Sequence, residues 1–264
     1  MKNIDRIEIN KFSHLHDEKN IFFCKTDYIL EDFKNISKLD HPVTLITGNS
    51  DYAITDEIVS LAPKNIVAWY AQNAMSNSEI LHPIPIGLEN KIPSVRDAHG
   101  IGYFDRASEK EQLLNSINNN NPTKLIYANF NINTNYNYRS IVKKYCIDSS
   151  FIDWEEPNLS LSQFFNKITD YKMVVCPAGN GVDTHRLWET LYCGQIPITI
   201  VVGEYKIYEL YKQLPIILLN NIRDLLDYDL IMQKYQECQS KNFNEELLNT
   251  NYWINIIKDN TNEQ

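Results

Sequence analysis

Three polar side chains, His185, Arg186 and Glu189, follow closely on a short loop that carries Gly179 and Gly181. Residues of these types in this order suit a phosphorylated ligand. Glycines lack a Cβ, so a bulky anion can approach their backbone N–H groups. The planar guanidinium of Arg186 forks onto phosphate oxygens, and His185 adds a donor near a helix start. Glu189 lies about 9 Å along a helix axis from Asp183, roughly one sugar ring beyond a phosphate held at the helix N-terminus. A carboxylate there can accept from two vicinal hydroxyls, as a ribose offers. A plainer reading stands beside this one: Arg186 and Glu189 at i, i+3 form a surface ion pair of little energetic weight, and His185 is simply solvated.

The elements that must position these groups are legible on either side. Met173 to Cys176 is a short apolar run, as expected of a buried parallel strand, and Pro177 ends it because proline donates nothing to a ladder. Asp183 reads as the N-cap of a helix over roughly Thr184 to Cys193, with Gly194 at the C′ position that stops it. On that helix Leu187, Leu191 and Trp188 make the apolar face, and His185, Arg186 and Glu189 the opposite, cleft-facing one. Ile196 to Val202 is the next strand. The chain has eight glycines in 264 residues, and Gly179, Gly181 and Gly194 all fall in this one segment.

The pattern Pro-x-Gly-x-Gly-x-Asp-x-His-Arg-x-Trp-Glu-x-Leu-x-x-Gly-x-Ile-Pro-Ile, from Pro177 to Ile198, resembles the donor-site signature of the exostosin-like glycosyltransferases. The likeness is to their small bacterial and viral members and to the ribitol xylosyltransferase branch. Leu125 to Asn135 with Arg139, and Tyr208 to Ile217, resemble flanking segments of the same donor domain, so the resemblance covers residues 124–228. It implies a GT-B architecture, an α/β fold of two Rossmann-like domains with parallel sheets, the N-terminal one trimmed to fit the length. It further implies that Gly179, Asn180, Gly181, His185 and Arg186 hold a diphosphate and Glu189 a ribose, with Arg139 as a second phosphate contact. The donor would be a nucleotide-sugar, UDP-sugar favoured, serving as substrate with no cofactor or metal. Inversion at the anomeric carbon and a glycan or lipid-linked acceptor follow from the same likeness.

The rest of the chain sets bounds. Hydrophobic residues make up 43% and charged residues 22%, ordinary for a globular protein. The net charge of −9 argues against a general nucleic-acid binder. No stretch is apolar enough to be a transmembrane span, and Met1 to Glu8 lacks the apolar core of a signal peptide, so no stable membrane insertion is expected. Five scattered cysteines with no Cys-x-x-Cys pair fit reduced thiols in a cytoplasmic protein.

Strands are expected at Ile21–Cys24, Val43–Thr47, Asn65–Tyr70 and Leu81–Ile86, with helices at Tyr28–Lys38 and Thr55–Leu61. The run Asn118 to Asn121 before Pro122 is the natural break, giving an acceptor-side domain 1–121 and a donor domain 122–264 with a mostly helical tail. Thr47-Gly-Asn-Ser-Asp51 follows a strand, where open α/β sheets bind ligands, so Asp51 is the first candidate for a catalytic base and Glu89 the second. An Asp at a strand end is more often only a helix N-cap or turn former, and Asp51 can be read that way. Asp227-Tyr-Asp229 matches an Asp-x-Asp metal motif but falls in a charged stretch after the donor-site strands, and His14-Leu-His16 has no third ligand near in sequence.

Two other functions compete. Gly179-x-Gly181-x-x-Thr184, with Glu204 about twenty residues on, nearly matches the dinucleotide fingerprint of a nicotinamide oxidoreductase, but lacks its third glycine. A non-catalytic glycan- or nucleotide-binding module would need only the donor half.

Overall fold

The computed structural model describes residues 4–16, 18, 20–91, 104–117 and 121–262. In chain order these form β1 (Ile21–Lys25), α1 (Ile29–Ile36), β2 (Val43–Gly48), β3 (Ile54–Thr55), α2 (Asp56–Ser60), β4 (Ile66–Ala71), β5 (Ala74–Met75), β6 (Leu81–Pro83) and α3 (Phe104–Ser116). There follow β7 (Lys124–Ala128), α4 (Tyr136–Asp148), β8 (Ile152–Trp154), α5 (Leu161–Thr169), β9 (Tyr171–Val175), α6 (His185–Tyr192) and β10 (Ile196–Ile200). The chain continues through α7 (Ile207–Tyr211), β11 (Ile217–Leu219), α8 (Tyr228–Ser240) and α9 (Thr250–Asn262).

The chain divides into two compact units. The first contains 4–107, 204–210 and 245–264, and the second 108–203 and 211–244. Residues 108–116, expected before the interdomain break, thus belong to the second unit, and the tail from 245, expected after it, to the first. Each unit is built on its own parallel sheet, as an α/β, GT-B-like fold class requires.

The first unit has a four-stranded parallel sheet in the order β1-β2-β4-β6, with β3 and β5 paired separately. Every residue of β2 is buried, which fits a central strand covered on both faces. Its core gathers Phe33, Ile36, Leu45, Trp69 and Leu81, and the Trp69 indole donates to the Thr47 hydroxyl at 2.9 Å, so the buried N–H is satisfied. The strand expected over Leu81–Ile86 stops at Pro83. Pro83 and Pro85 have no N–H to continue a ladder. The C-terminal helix is tied to this unit: Thr250 N donates to the Asp5 carbonyl at 2.8 Å, and Asn260 donates to the Tyr70 hydroxyl at 2.6 Å.

The second unit has a five-stranded parallel sheet in the order β11-β10-β9-β7-β8. Numbered within the unit, this is the doubly wound order 2-1-3-4-5. The chain steps from β7 out to β8, then returns past β7 to β9 and proceeds the other way. Connections after β7 and β9 therefore diverge, and a crevice opens at the carboxyl ends of these two strands. The first unit's four-stranded sheet has no such reversal among the described residues. Ile126, Val142, Met173, Val175, Ile198 and Leu219 are all buried and form the heart of the second core.

Candidate functional site

The glycine loop leaves β9 at this reversal point. Its shape is held from the α4 side of the crevice by Arg139, which is buried. Arg139 Nε donates to the Ala178 carbonyl at 2.9 Å, Nη2 to that of Pro177 at 3.0 Å and Nη1 to that of Asn131 at 2.8 Å. Asn135 Nδ2 donates to the Gly179 carbonyl at 2.9 Å. The family likeness implies a phosphate contact for Arg139; in the structure its guanidinium braces the loop. Burial first, and the charge of Arg186 second, pull its pKa down to about 10. Gly179 is buried against it: a Cβ there would lie 3.0 Å from Arg139 Nη2. The Gly179 amide donates within the loop, to the Gly181 carbonyl at 2.9 Å. Asn180 is exposed and Gly181 half-buried.

Helix α6 starts one residue later than expected. Its N-cap is Thr184, without a side-chain cap bond. Asp183 is not the cap. It is buried, and its Oδ1 accepts from Trp188 Nε1 at 2.7 Å and from the Tyr211 hydroxyl at 2.7 Å. Two buried donors outcompete the local cap because they have no water to turn to. The helix end matches expectation. Gly194 has φ +78°, its N–H donates to the Leu191 carbonyl at 2.9 Å, and Gln195 N donates to that of Thr190 at 3.1 Å. This pair of bonds is a Schellman cap.

His185 and Arg186 are half-buried at the start of α6. The Arg186 guanidinium lies 3.8 Å from the centroid of the Phe164 ring, supplied by α5. Its Nε donates to Glu189 Oε2 at 3.2 Å and its Nη1 to the Asn129 carbonyl at the end of β7. Stacking and hydrogen bonds together fix the plane of the fork.

Glu189 departs most from expectation. Rather than facing an open cleft it is 3% exposed, and its Oε1 accepts from Lys110 Nζ of α3 at 2.5 Å. Lys110 is itself 4% exposed. Burial raises the pKa of this carboxyl, but Lys110 and then Arg186 outweigh burial and hold it down to about 2. Glu189 is thus an anion between two cations. Cys176, beside Arg186 after the strand end, is buried, and burial pushes its thiol up to about 12, which keeps it protonated.

The second unit therefore brings together Arg139, Gly179, Asn180, Gly181, His185, Arg186 and Glu189. Sequence reasoning missed Lys110, Phe164 and Asn129. Asp51 and Glu89 lie in the first unit, Asp51 exposed and Glu89 half-buried. Their loops meet there, since Asn90 Nδ2 donates to Asn49 Oδ1 at 3.4 Å. Asn49, with φ +55°, turns the chain after β2, and its N–H donates to the Gln72 side chain at 2.9 Å.

Of the metal motifs, Asp227 caps α8, its Oδ1 accepting from Leu230 N at 3.0 Å. His16 Nδ1 accepts from Phe23 N at 3.1 Å. Among the described residues no group of three or more His, Cys, Asp or Glu side chains could hold a metal ion, and no helix is long and apolar enough to cross a membrane. All five cysteines are free thiols. The dinucleotide fingerprint belongs on the first strand of its sheet, whereas this loop follows the third strand of its unit, and β10 ends four residues before Glu204.

No protein-family model matches the chain, and no curated protein matches it in sequence. Among solved structures it is similar to an α1,3-fucosyltransferase, with a TM-score of 0.47 and 10% sequence identity over 97% of this chain and 85% of that one. The exostosin-like resemblance rests on the quoted residues alone.

Proposed function

We propose that the chain is a glycosyltransferase that takes a sugar from a nucleotide-sugar and gives it to a hydroxyl of a glycan or lipid-linked acceptor. The observation that carries this reading is the glycine loop at the carboxyl end of β9, at the reversal of a 2-1-3-4-5 sheet, with Arg186 fixed beside it. Open α/β sheets bind their ligands at such a reversal, and cations with a helix N-terminus select an anionic one.

In the reaction the acceptor oxygen attacks the anomeric carbon while a base removes its proton. The bond from that carbon to the diphosphate oxygen breaks, and the diphosphate leaves with the electron pair. Arg186, His185 and the α6 dipole stabilise the developing charge, without need of a divalent metal. Glu189 takes the ribose hydroxyls: its two oxygens offer about four lone-pair directions, of which Lys110 and Arg186 use two. Arg139 holds the loop in shape. Asp51 is the proposed base, with Glu89 second, and inversion is the proposed outcome. A UDP-sugar is the favoured donor.

Release of nucleoside diphosphate from a panel of nucleotide-sugars, with mixed oligosaccharides as acceptors, tests the reading. Acceptor-dependent release that Asp51→Asn or Glu89→Gln abolishes supports it and picks the base. Nucleotide binding with no turnover on any acceptor would leave the binding-module alternative in its place.

A further inference from the structure

The contact between Lys110 and Glu189 joins α3 to α6 across 79 residues of sequence and is almost wholly buried at both ends. It governs how Arg186 meets the carboxylate. A guanidinium and a carboxylate prefer a two-point fork, with Nε and Nη2 each donating to one oxygen. Here the fork is incomplete. Arg186 Nε reaches Oε2 at 3.2 Å, Lys110 occupies Oε1 at 2.5 Å, and Nη2 makes no hydrogen bond among the described residues. Nη1 is held on Asn129 and the ring of Phe164 lies against the guanidinium plane, which leaves Arg186 small in-plane shifts, such as closing the fork, but no tilt out of that plane. The Arg186 side chain is 24% exposed, so the fork is not sealed from an incoming ligand.

We propose that Lys110 is a positioning residue of the donor site: by drawing Oε1 of Glu189 toward itself it holds the carboxylate in one-point contact with Arg186 and keeps the Nη2 edge of Arg186 available to the diphosphate. This rests on the nucleotide-sugar reading and adds to it a residue outside the signature segment. Without Lys110, Glu189 is left with one oxygen unpaired in a buried site, and Arg186 closes the two-point fork onto it. The edge that would meet the phosphate is then consumed.

The consequence is a rescue that a purely structural lysine would not produce. Inorganic pyrophosphate is the probe, because it reports on the phosphate subsite and has no ribose for Glu189 to bind. Titration calorimetry is run with pyrophosphate, UDP and GDP on the wild type, Lys110→Met, Lys110→Arg and the double variant Lys110→Met with Glu189→Gln. Lys110→Met is expected to weaken pyrophosphate at least tenfold and Lys110→Arg less than threefold. The double variant, with no carboxylate left to capture Arg186, is expected to return to within threefold of the wild type for pyrophosphate while staying weak for the nucleotide. Replacing both buried partners by neutral groups is often tolerated, so the double variant serves even if Lys110→Met fails to fold. In that case Lys110→Gln, which keeps a donor facing Oε1, is measured instead: pyrophosphate affinity within threefold of the wild type is expected, and a tenfold loss overturns the inference.

Unchanged pyrophosphate affinity in the single variant, or a double variant as weak as the single one, overturns the inference while leaving the nucleotide reading intact. A wild type that binds a nucleotide but not pyrophosphate also overturns it. A wild type that binds none of the three overturns the nucleotide reading and this inference together.

Discussion

Asp183 accepts the indole N–H of Trp188 at 2.7 Å, five residues along the chain and fully buried. The same oxygen accepts the Tyr211 hydroxyl. This bond pins the end of the glycine loop to the apolar face of α6. Asp183→Ala would leave the buried indole N–H of Trp188 without its acceptor and take one acceptor from the Tyr211 hydroxyl, so a loss of about 1–3 kcal/mol is expected in urea denaturation. Asp183→Asn, which keeps an acceptor oxygen, should cost less.

Arg139 makes two hydrogen bonds to carbonyls of the glycine loop and a third to that of Asn131 after β7, and lysine cannot reproduce that fork. Arg139→Lys should lower stability by about 2–4 kcal/mol and weaken nucleotide binding through a displaced loop. Thermal unfolding with and without nucleotide checks both effects. A variant with full stability but no nucleotide affinity would instead make Arg139 a direct phosphate ligand.

The ion pair at Glu189 makes stability pH-dependent. Its carboxyl is held at about 2 in the fold, below its ordinary 4.5, so its contribution is complete above about pH 5 and is lost as pH falls towards 2. Glu189→Gln should flatten this acid limb in denaturation curves. At neutral pH the same variant removes the carboxylate from the buried pair with Lys110, and a lower unfolding midpoint in urea than that of the wild type is expected.

Two glycines of the segment should fail in different ways. A methyl group on Gly194 would meet open space, with no atom within 4 Å, but the φ of +78° strains any L side chain there. Gly194→Ala should therefore cost about 1–2 kcal/mol of stability and leave ligand affinity unchanged. Gly179→Ala presses on Arg139 at 3.0 Å and should weaken nucleotide binding more than it lowers the melting temperature.

The legible parts of the fold share one cause. Interior parallel strands are short continuous apolar runs, so β2, β4, β9 and β10 could be read directly, and Gly194 announced the end of α6 through purely local chemistry. The parts missed depend on partners far along the chain. Lys110 lies in the charged run Ser-Glu-Lys-Glu-Gln of α3 and looks solvated until Glu189 is brought against it. Asp183 carried a sound local signal for a cap, but Trp188 and Tyr211 compete for it with tertiary bonds. Strands β3 and β5 span two residues each, too short for any alternation to register. Strand order, and with it the reversal that marks the crevice, has no local signature at all.

In the proposed function the crevice beside β9 holds a nucleoside diphosphate through Arg186. Titration calorimetry of UDP and GDP, in EDTA, against the wild type and Arg186→Met tests it most directly. Binding of one of them that Arg186→Met weakens at least tenfold is the expected result. Binding of neither, or equal affinity in both proteins, would rule out a nucleoside diphosphate held by Arg186.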